Sequence, residues 1–335
     1  MKHFSSSLIN WFESSKRDLP WRHTTDPYLI WISEVMLQQT QAVTVIPYYA
    51  RFIKALPTVH DLARVEDDIL FKLWEGLGYY SRAKNIKKTA KVIVDDYEGI
   101  IPNTYEQLIK LKGIGDYTAS AILSIAYSKP YPAVDGNVLR VMSRYLGILD
   151  DINLPKTKKL INYELKNLIE EPTRSFTEGL IELGATVCSK SKPNCQICPI
   201  KDNCHANIRN LTDKIPYKSR PKDKKEIMMQ TFILKDLKGN TILKRQEEAL
   251  LNGLYLYPQV PSENINHAID TLEETGLSIL NIYKTKTYKH VFTHLIWHMD
   301  VHYGIGDVEN NAYTIVEDLD LKLYPMASAH KKIKK

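Results

Sequence analysis

The sequence Leu111-Lys-Gly-Ile-Gly-Asp-Tyr-Thr-Ala-Ser-Ala121 lies between an apolar segment and a helical pattern, and Ala133-Val-Asp-Gly-Asn-Val138 opens the next helical pattern. Glycine tolerates positive φ and lets a backbone approach another group closely. The amides of such a turn, next to a helix N-terminus, form a site for an anion such as phosphate. On its own, a Gly-x-Gly pattern is more often an ordinary corner between two helices. The paired segments and the motifs around them favour the anion site.

Length and composition indicate a soluble globular protein with two domains. The chain has 335 residues, of which 44% are hydrophobic and 25% are charged, and this length allows each domain its own core. No run of eighteen apolar residues occurs, so we expect no transmembrane helix. Residues 1–11 lack the apolar core of a signal peptide and are not arginine-rich. We therefore expect a cytosolic protein.

The positive charge is concentrated in two places. Residues 205–225 have a net charge of +5, and the four lysines of residues 331–335 add to it, whereas the whole chain is only +6. Such runs are often a solvated linker and tail. They are equally typical of a basic segment that lies against a polyanion. The sequence leaves both interpretations open.

The hydrophobic patterns change character near residue 226. Before that point they predict an all-helical domain over 1–204 and a basic linker over 205–225, and after it an α+β domain over 226–335. The predicted helices are 4–16, 26–39, 41–55, 67–74, 81–97, 104–111, 116–127, 137–146, 156–170, 173–187 and, in the second domain, 262–274. The start at 26 is marked by Asp26-Pro27, in which the aspartate caps the helix and the proline takes its first position. The predicted strands are 227–234, 239–244, 277–284, 289–299 and 313–316.

The four cysteines of the chain fall in one short segment with the spacing C-x6-C-x2-C-x5-C. They are Cys188, Cys195, Cys198 and Cys204. In a cytosolic protein such clustered cysteines are more typical of a metal site than of disulfides. Four thiolates suit either zinc or an iron–sulfur cluster. Zinc ribbons usually carry two C-x2-C pairs and only one is present, so the spacing favours a [4Fe–4S] cluster.

Several motifs now occur together: Ser33-Glu-Val-Met-Leu-Gln-Gln-Thr-Gln41, Gly76-Leu-Gly-Tyr-Tyr80, Val134-Asp-Gly-Asn-Val138, the glycine turn and the cysteine loop. The glycine turn resembles a helix-hairpin-helix motif, which grips a nucleic-acid backbone without reading its sequence. Over nearly its whole length the chain resembles the adenine DNA glycosylases of the MutY family. The resemblance implies a multi-domain protein: an all-α helix-hairpin-helix glycosylase domain with a [4Fe–4S] cluster loop, and an α+β Nudix-like C-terminal domain. It also implies removal of adenine mispaired with 8-oxoguanine or guanine.

Two carboxylates are candidates for the chemistry of adenine removal, which needs a proton donor at the base and a negative charge near the sugar. Three of the four residues one helical turn from Glu34 are apolar (Ile30, Trp31 and Leu37), so desolvation should raise its pKa. Asp135 begins a helix, whose dipole and free amides should keep it ionised. Taken singly, a helical glutamate is more often a surface residue and an aspartate before a helix is usually only an N-cap. The family resemblance assigns them as general acid and as the anion that stabilises the oxocarbenium-like sugar.

Tyr117 distinguishes this chain from endonuclease III, which shares the hairpin, the aspartate and the cysteine loop. Endonuclease III carries at that position a lysine that attacks the sugar as a Schiff-base nucleophile, and tyrosine has no amine. Leu139 also replaces a lysine that some family members use to trap the opened sugar. We therefore expect a monofunctional glycosylase that uses water, with Tyr117 near the sugar and Asn137 positioning water or substrate.

The resemblance also implies contacts with a base flipped out of double-stranded DNA. Gln39 and Tyr79 are expected to enter the helix near the lesion, although a tyrosine pair such as Tyr79-Tyr80 would otherwise be interpreted as core packing. The implied DNA-binding residues are Leu37, Gln39, Thr40, Tyr79, Gly113, Ile114 and Gly115. The implied adenine pocket is Arg17, Leu19, Trp21 and Glu178.

The second domain has lost most of the Nudix signature, because Ile269-Asp270 stand in place of its Arg-Glu opening. Magnesium-dependent pyrophosphate hydrolysis is therefore not expected. The family reads 8-oxoguanine through a Phe-Ser-His loop, which corresponds here to Phe292, Thr293 and His294. Threonine keeps the hydroxyl of serine.

The expected partner is a duplex that contains an A·8-oxoguanine or A·G mismatch, bound by a monomeric protein, near the nucleoid if the source is bacterial. Two alternatives are weighed. One is an endonuclease III-like enzyme for oxidised pyrimidines, against which Tyr117 and the second domain argue. The other is a non-catalytic, cluster-bearing DNA-binding protein, against which the joint presence of Glu34 and Asp135 argues.

Overall fold

Helices build the first two thirds of the chain in the computed structural model, which describes residues 2–219, 223–248 and 250–333. Two basic residues of the predicted linker, Arg220 and Lys222, and the last two lysines of the tail lie outside these ranges. The helices are α1 Lys2–Ser15, α2 Pro27–Leu37, α3 Ala42–Ala55, α4 Val59–Arg64, α5 Asp67–Trp74, α6 Ser81–Asp96, α7 Tyr105–Leu108, α8 Asp116–Ala126, α9 Gly136–Leu146, α10 Pro155–Leu168, α11 Thr173–Thr186 and α12 His205–Ile208.

The remaining elements form a mixed sheet with two helices. They are β1 Lys225–Lys235, β2 Thr241–Arg245, β3 Tyr255–Leu256, β4 Gln259–Pro261, α13 Ile265–Glu273, β5 Leu277–Val291, β6 Leu295–Val308, β7 Thr314–Val316 and α14 Ser328–Ile333. The sheet order is β3-β2-β1-β6-β5, with β4 paired to β1 and β7 paired to β2. β1 and β6 run parallel, and β5 and β6 form a long antiparallel hairpin.

The chain divides into two compact units, each with its own core. The helical unit is Met1–Arg64 with Asn85–Arg220, and the sheet unit is Val65–Lys84 with Pro221–Lys335. Residues 65–84 therefore group with the sheet, although they lie inside the segment predicted as the helical domain. The sequence-based limits 1–204, 205–225 and 226–335 stay a prediction.

Apolar packing fixes the helices that carry the candidate catalytic residues. α2 packs on α8 through a buried cluster of Ile30, Ala121, Ile125 and Ala133. α1, α9, α10 and α11 share a second core, which includes Phe4, Leu8, Val138, Met142, Ile161, Leu165, Phe176 and Leu180. Fully burying a side chain of this size stabilises the fold by about 1.5–3 kcal/mol. Side chains on α2, α8 and α9 are therefore held by a rigid scaffold.

Local signals set where the key helices begin and end. Asp26 caps α2 by accepting a hydrogen bond from the Tyr28 amide (2.8 Å), with Pro27 in the first helical position. Asp135 caps α9 in the same way, through the Val138 amide (2.8 Å). Gly147 ends α9 in the left-handed conformation, with φ of 71°. The caps predicted from the sequence are confirmed at both helix starts.

Some sequence-based elements were wrong. The segment 289–299 was predicted as one strand, but a turn at 292–294 divides it between β5 and β6. The helix predicted over 104–111 is only Tyr105–Leu108, and α4, α12, β3, β4 and α14 were missed. Short elements fail because two to six residues show too little periodicity to be recognised. No helix among the described residues combines the length and the apolarity needed to cross a bilayer.

Candidate active site

A cavity of about 860 Å³ opens in the helical unit among α2, α3, α8, α9, α11 and the loop before α2. Glu34, from α2, and Asp135, from the start of α9, both line it. The other sequence-predicted residues in its wall are Tyr117, Asn137, Arg17, Leu19, Trp21, Glu178, Leu37, Gln39 and Thr40. The structure therefore brings the predicted catalytic and adenine-pocket residues into one cavity.

Glu34 lies at the buried end of this arrangement, with only 5% of its surface exposed. The Tyr117 hydroxyl donates a hydrogen bond to Glu34 Oε2 (2.7 Å). Burial raises the pKa of Glu34 to about 7, and the nearby carboxylates of Glu178 and Asp135 add to the rise against the opposing bond from Tyr117. A carboxyl group with this pKa holds a proton in a substantial fraction of molecules near neutral pH, as a general acid requires.

Asp135 is surrounded by hydrogen-bond donors. Its Oδ1 accepts from the Val138 amide and its Oδ2 accepts from the Asn137 side-chain amide, each at 2.8 Å. Burial raises the pKa of Asp135 above its ordinary value, while these donors and the charge of Arg140 oppose the rise. The expected shifts in opposite directions are therefore wrong, because burial outweighs the cap at Asp135. The two carboxyl groups differ in their hydrogen-bond donors. Asp135 accepts from two amide groups and Glu34 from one hydroxyl, so the ionised form is favoured more at Asp135.

A chain of hydrogen bonds connects Asp135 with the cysteine loop. Asn137 donates to Asp135 and its Oδ1 accepts from Arg140 (2.8 Å). The same guanidinium donates to the carbonyl oxygens of Cys188 (2.8 Å) and Gly184 (2.7 Å). Sequence reasoning missed Arg140. Arg140 lies five residues after Asp135 on α9, and this spacing gave no signal, because the contact of Arg140 with the cysteine loop exists only in the folded chain.

A charged network lies along one wall of the cavity. Glu182, of which 1% is exposed, accepts from Arg17 Nε (2.7 Å) and Arg22 Nη2 (2.9 Å). Although burial acts to raise it, these hydrogen bonds and charges hold the pKa of Glu182 at about 2. Burial raises the pKa of Glu178, against the opposing charge of Arg174. Arg22 and Glu182 were missed, and the one available signal was the spacing of Glu182 four residues after Glu178 on α11.

The glycine turn before α8 is confirmed in part. Gly113 has φ of 83°, and a Cβ there would lie 2.9 Å from the Asn85 Cβ, so both conformation and space require glycine. Gly115 has φ of −97°, which other residues adopt equally well. As the N-cap of α8 it offers no side-chain acceptor, so the first amides of α8 remain available to an external anion. Ile114 is buried between the two glycines.

The four cysteines form no disulfide and line one cavity of the helical unit. Arg144 donates to Cys188 Sγ (3.3 Å) and to the carbonyl oxygens of Lys190 (3.0 Å) and Thr212 (2.9 Å). Within the described ranges, no three His, Cys, Asp or Glu side chains lie close enough to hold a single metal ion. A [4Fe–4S] cluster takes its four cysteines on four different irons. Four cysteines around one cavity, with a cation beside one sulfur, suit that donor set.

In the sheet unit, Tyr79 meets the turn between β5 and β6. Its hydroxyl is 2.5 Å from Thr293 Oγ1. Phe292 anchors the turn by packing against Trp297, with ring centres 4.8 Å apart, whereas Thr293 and His294 are exposed. Tyr79 and Gln39 both have left-handed backbones, with φ of 49° and 58°. Non-glycine residues in this region are uncommon and cluster at functional sites.

Comparisons with known proteins point in the same direction. The family described as HhH-GPD superfamily base excision DNA repair protein matches residues 32–171, and the NUDIX domain family matches residues 231–335. The chain is 38% identical over 298 residues to the adenine DNA glycosylase of Buchnera aphidicola subsp. Baizongia pistaciae, covering 87% of this chain and 83% of that one. It is 42% identical to the adenine DNA glycosylase of Mus musculus over 62% of this chain and 42% of that one.

Two solved structures each superpose on 62% of the chain. A thermostable thymine-DNA glycosylase superposes with a TM-score of 0.57 at 31% identity, covering 62% of this chain and 95% of that one. Endonuclease III in a non-covalent DNA complex superposes with a TM-score of 0.53 at 24% identity, covering 62% of this chain and 94% of that one. At 24% identity, the likeness to endonuclease III shows a common fold.

Proposed function

Because the chain belongs to the adenine DNA glycosylase family, we propose that it removes adenine paired with 8-oxoguanine or guanine from double-stranded DNA by hydrolysing the N-glycosidic bond. The observation that carries this proposal is the pair of carboxyl groups in one cavity, where Glu34 has a pKa of about 7 and Asp135 is surrounded by amide donors. The chain acts as a monomer in this proposal, since one copy supplies both carboxyl groups.

The reaction follows from the chemistry of the two groups. The adenine is flipped out of the duplex into the cavity, and Glu34 donates its proton to a ring nitrogen of the base. The bond between C1′ and the base then breaks, and the electron pair leaves with the neutral adenine. The cationic sugar is stabilised by the Asp135 carboxylate. A water molecule adds to C1′ and its proton is lost to Glu34, which restores the acid.

Tyr117 keeps this reaction hydrolytic. Its hydroxyl is bonded to Glu34, and burial raises its pKa well above the ordinary value, so it stays a neutral donor. It offers no amine to form a Schiff base with the sugar. We propose that it orients the Glu34 carboxyl and packs near the sugar, while Asn137 holds Asp135 in place.

An excision assay tests the reaction. A duplex with one A·8-oxoguanine pair should lose its adenine and leave an abasic site without strand cleavage, whereas a duplex with thymine glycol should remain intact. Release of thymine glycol with strand cleavage would instead identify the endonuclease III-like alternative. Binding without release of either base would identify a protein without catalytic activity.

We propose that Cys188, Cys195, Cys198 and Cys204 hold a [4Fe–4S] cluster. When bound, the cluster supplies iron–thiolate bonds that cross-link the loop. The residues of the chain then connect this loop to the site, because Arg140 bonds both to the Cys188 carbonyl and to Asn137. The loop thereby supports the orientation of Asp135.

Substituting Cys198 with serine is expected to lower the iron content per chain and the visible absorbance of the purified protein. The control is Ser189→Ala, because Ser189 follows Cys188 in the same loop and is not one of the four cysteines. A Cys198→Ser protein with full iron content would contradict the assignment of that ligand. Zinc in place of iron in the wild-type protein would contradict the type of centre.

We further propose that the turn formed by Phe292, Thr293 and His294 reads 8-oxoguanine. In this proposal Tyr79 and Gln39 enter the duplex near the lesion, and Leu37, Thr40 and the glycine turn of the helical unit make further DNA contacts. The support is that Thr293 and His294 are exposed on an anchored turn. The amides of the first turn of α8 would bind a backbone phosphate, because a helix N-terminus favours an anion.

Replacing Thr293 with valine is expected to reduce the preference for 8-oxoguanine over guanine about tenfold, because the side chain keeps its shape and loses one polar contact. The measurement is the ratio of single-turnover rates on the two mismatches. Tyr79→Phe is the matched control, since it removes the same Tyr79–Thr293 hydrogen bond and leaves the Thr293 hydroxyl in place.

If Tyr79→Phe lowers this ratio as much as Thr293→Val does, the hydroxyl of Thr293 serves the tyrosine and does not read the lesion. Deleting residues 226–335 should also erode the preference. That deletion is a less clean test, because residues 65–84 pack in the same unit as these strands.

A further inference from the structure

The turn between α5 and α6 is held in an unusual conformation. Gly76 and Gly78 have φ of 107° and 70°, and Tyr79 follows with φ of 49°. Glycine adopts such angles readily, but a left-handed tyrosine costs about 1–3 kcal/mol and persists only where its surroundings enforce it. Because 41% of Tyr79 is exposed, its own burial does not supply that enforcement.

Arg82, at the start of α6, supplies contacts on both sides of this turn. Its Nη2 donates to the carbonyl oxygens of Leu77 and Gly78, each at 3.2 Å. Its guanidinium carbon is 5.4 Å from the ring centre of Trp74 and 5.4 Å from that of Tyr79. The planar group therefore meets two aromatic rings while it bonds the two carbonyl oxygens before Tyr79.

The site around Arg82 is buried and has further fixed contacts. Only 8% of Arg82 is exposed, and although burial lowers its pKa to about 10, the group stays charged at neutral pH. Trp74 Nε1 also donates to the Gly78 carbonyl (3.1 Å), which fixes the ring that the guanidinium meets. A buried charge costs several kcal/mol unless its contacts compensate, so the turn and the arginine are folded as one structure.

We propose that Arg82 is a positioning residue that holds Tyr79 in its left-handed conformation before DNA binds. The proposal rests on the proposed function, in which Tyr79 enters the duplex beside the lesion. A preformed turn avoids the entropy cost of ordering it during binding. It also directs the Tyr79 hydroxyl towards Thr293, so the inserted residue and the β5–β6 turn act as one surface.

Replacing Arg82 with lysine tests whether the shape of the guanidinium group, and not only its charge, holds the turn. Lysine keeps the positive charge, but it lacks the planar fork that meets two rings and two carbonyl oxygens together. Arg82→Lys is therefore expected to weaken binding to an uncleavable A·8-oxoguanine duplex about tenfold, within the range of a buried cation–aromatic contact. Arg51→Lys is the control, because Arg51 also stacks on a tyrosine, Tyr48 (4.8 Å), and neither residue lines the cavity.

A double-mutant cycle with Tyr79→Ala separates positioning from general stability. If Arg82 acts through Tyr79, Arg82→Lys has little effect on binding when Tyr79 is already alanine. Equal weakening in both backgrounds would overturn the proposal. A fluorescent base analogue beside the lesion, read at saturating protein concentration, gives a second readout, since its signal then reports unstacking by an inserted side chain and does not depend on affinity.

A crystal structure of the DNA-free Arg82→Lys protein tests the proposal apart from the proposed function. Tyr79 is expected to leave its left-handed conformation and to lose the contact with Thr293. Retention of both would overturn the role of Arg82. If Tyr79→Ala alone leaves DNA binding unchanged, the proposed insertion of Tyr79 fails, and this structure still decides whether Arg82 sets its conformation.

Discussion

Replacing Glu34 with glutamine is expected to reduce the single-turnover rate of adenine release by about a thousandfold, because general acid catalysis contributes on the order of 10² to 10⁴ and glutamine has no proton to give. Glutamine keeps the shape of the side chain and can still accept the hydrogen bond from Tyr117. The DNA contacts proposed for α8, the β5–β6 turn and Tyr79 are untouched. Binding of the A·8-oxoguanine duplex should therefore change little.

The pH dependence of the wild-type protein follows from the same group. Glu34 must be protonated to act, and its pKa is about 7. The rate should be highest below that value and should fall about tenfold for each further pH unit above it. A matched control is Glu164→Gln on α10, which removes a carboxylate outside the cavity. A near wild-type rate in Glu34→Gln, or a rate that rises with pH, would remove Glu34 as the acid.

In Glu34→Gln, stability should change in the opposite direction from activity. The pKa of Glu34 lies above its unfolded value of 4.5, so the folded state binds the proton more tightly and loses stability as the pH rises from about 4.5 to about 7. Glutamine removes this cost. Above pH 7, Glu34→Gln should therefore unfold at a higher temperature than the wild type. The gain in the free energy of unfolding should be on the order of 3 kcal/mol at most.

The parts of the fold and site that the sequence predicted are those set by local contacts. Asp26-Pro27 and Asp135 predicted two helix starts because an N-cap acts within three residues. The apolar neighbours of Glu34 predicted its raised pKa because they lie one turn away on the same helix. The Gly-x-Gly pattern indicated a turn that tolerates positive φ for the same local reason, and Gly113 adopts such an angle whereas Gly115 does not.

The parts that the sequence did not predict depend on distant contacts. Glu182 and Arg22 are 160 positions apart, and neither shows the ion pair in its local pattern. The raised pKa of Asp135 was missed because a cap predicts donors but not how deeply the carboxyl is buried. The grouping of residues 65–84 with the sheet could not be predicted either, since their helical periodicity says nothing about their packing partner.

Asp135→Asn is expected to lower the rate of adenine release about a hundredfold or more, because it removes the negative charge that stabilises the sugar cation. Asparagine is as good an N-cap as aspartate, so the bond from the Val138 amide can persist and α9 should still form. Its amide group would, however, face the Asn137 amide that now donates to Oδ2. A small loss of stability, measured by thermal unfolding, should accompany the loss of rate.

The control for Asp135→Asn is Asp26→Asn, which changes another N-cap carboxylate, at the start of α2, outside the cavity wall. It should leave the rate nearly unchanged, so that a loss common to both variants would point to charge at a helix start and not to catalysis.

Combining Asp135→Asn with Glu34→Gln should lower the rate by much less than the product of the two single effects, because both groups serve one bond cleavage. Full additivity would mean that the two carboxyl groups act in separate steps, which contradicts a shared transition state.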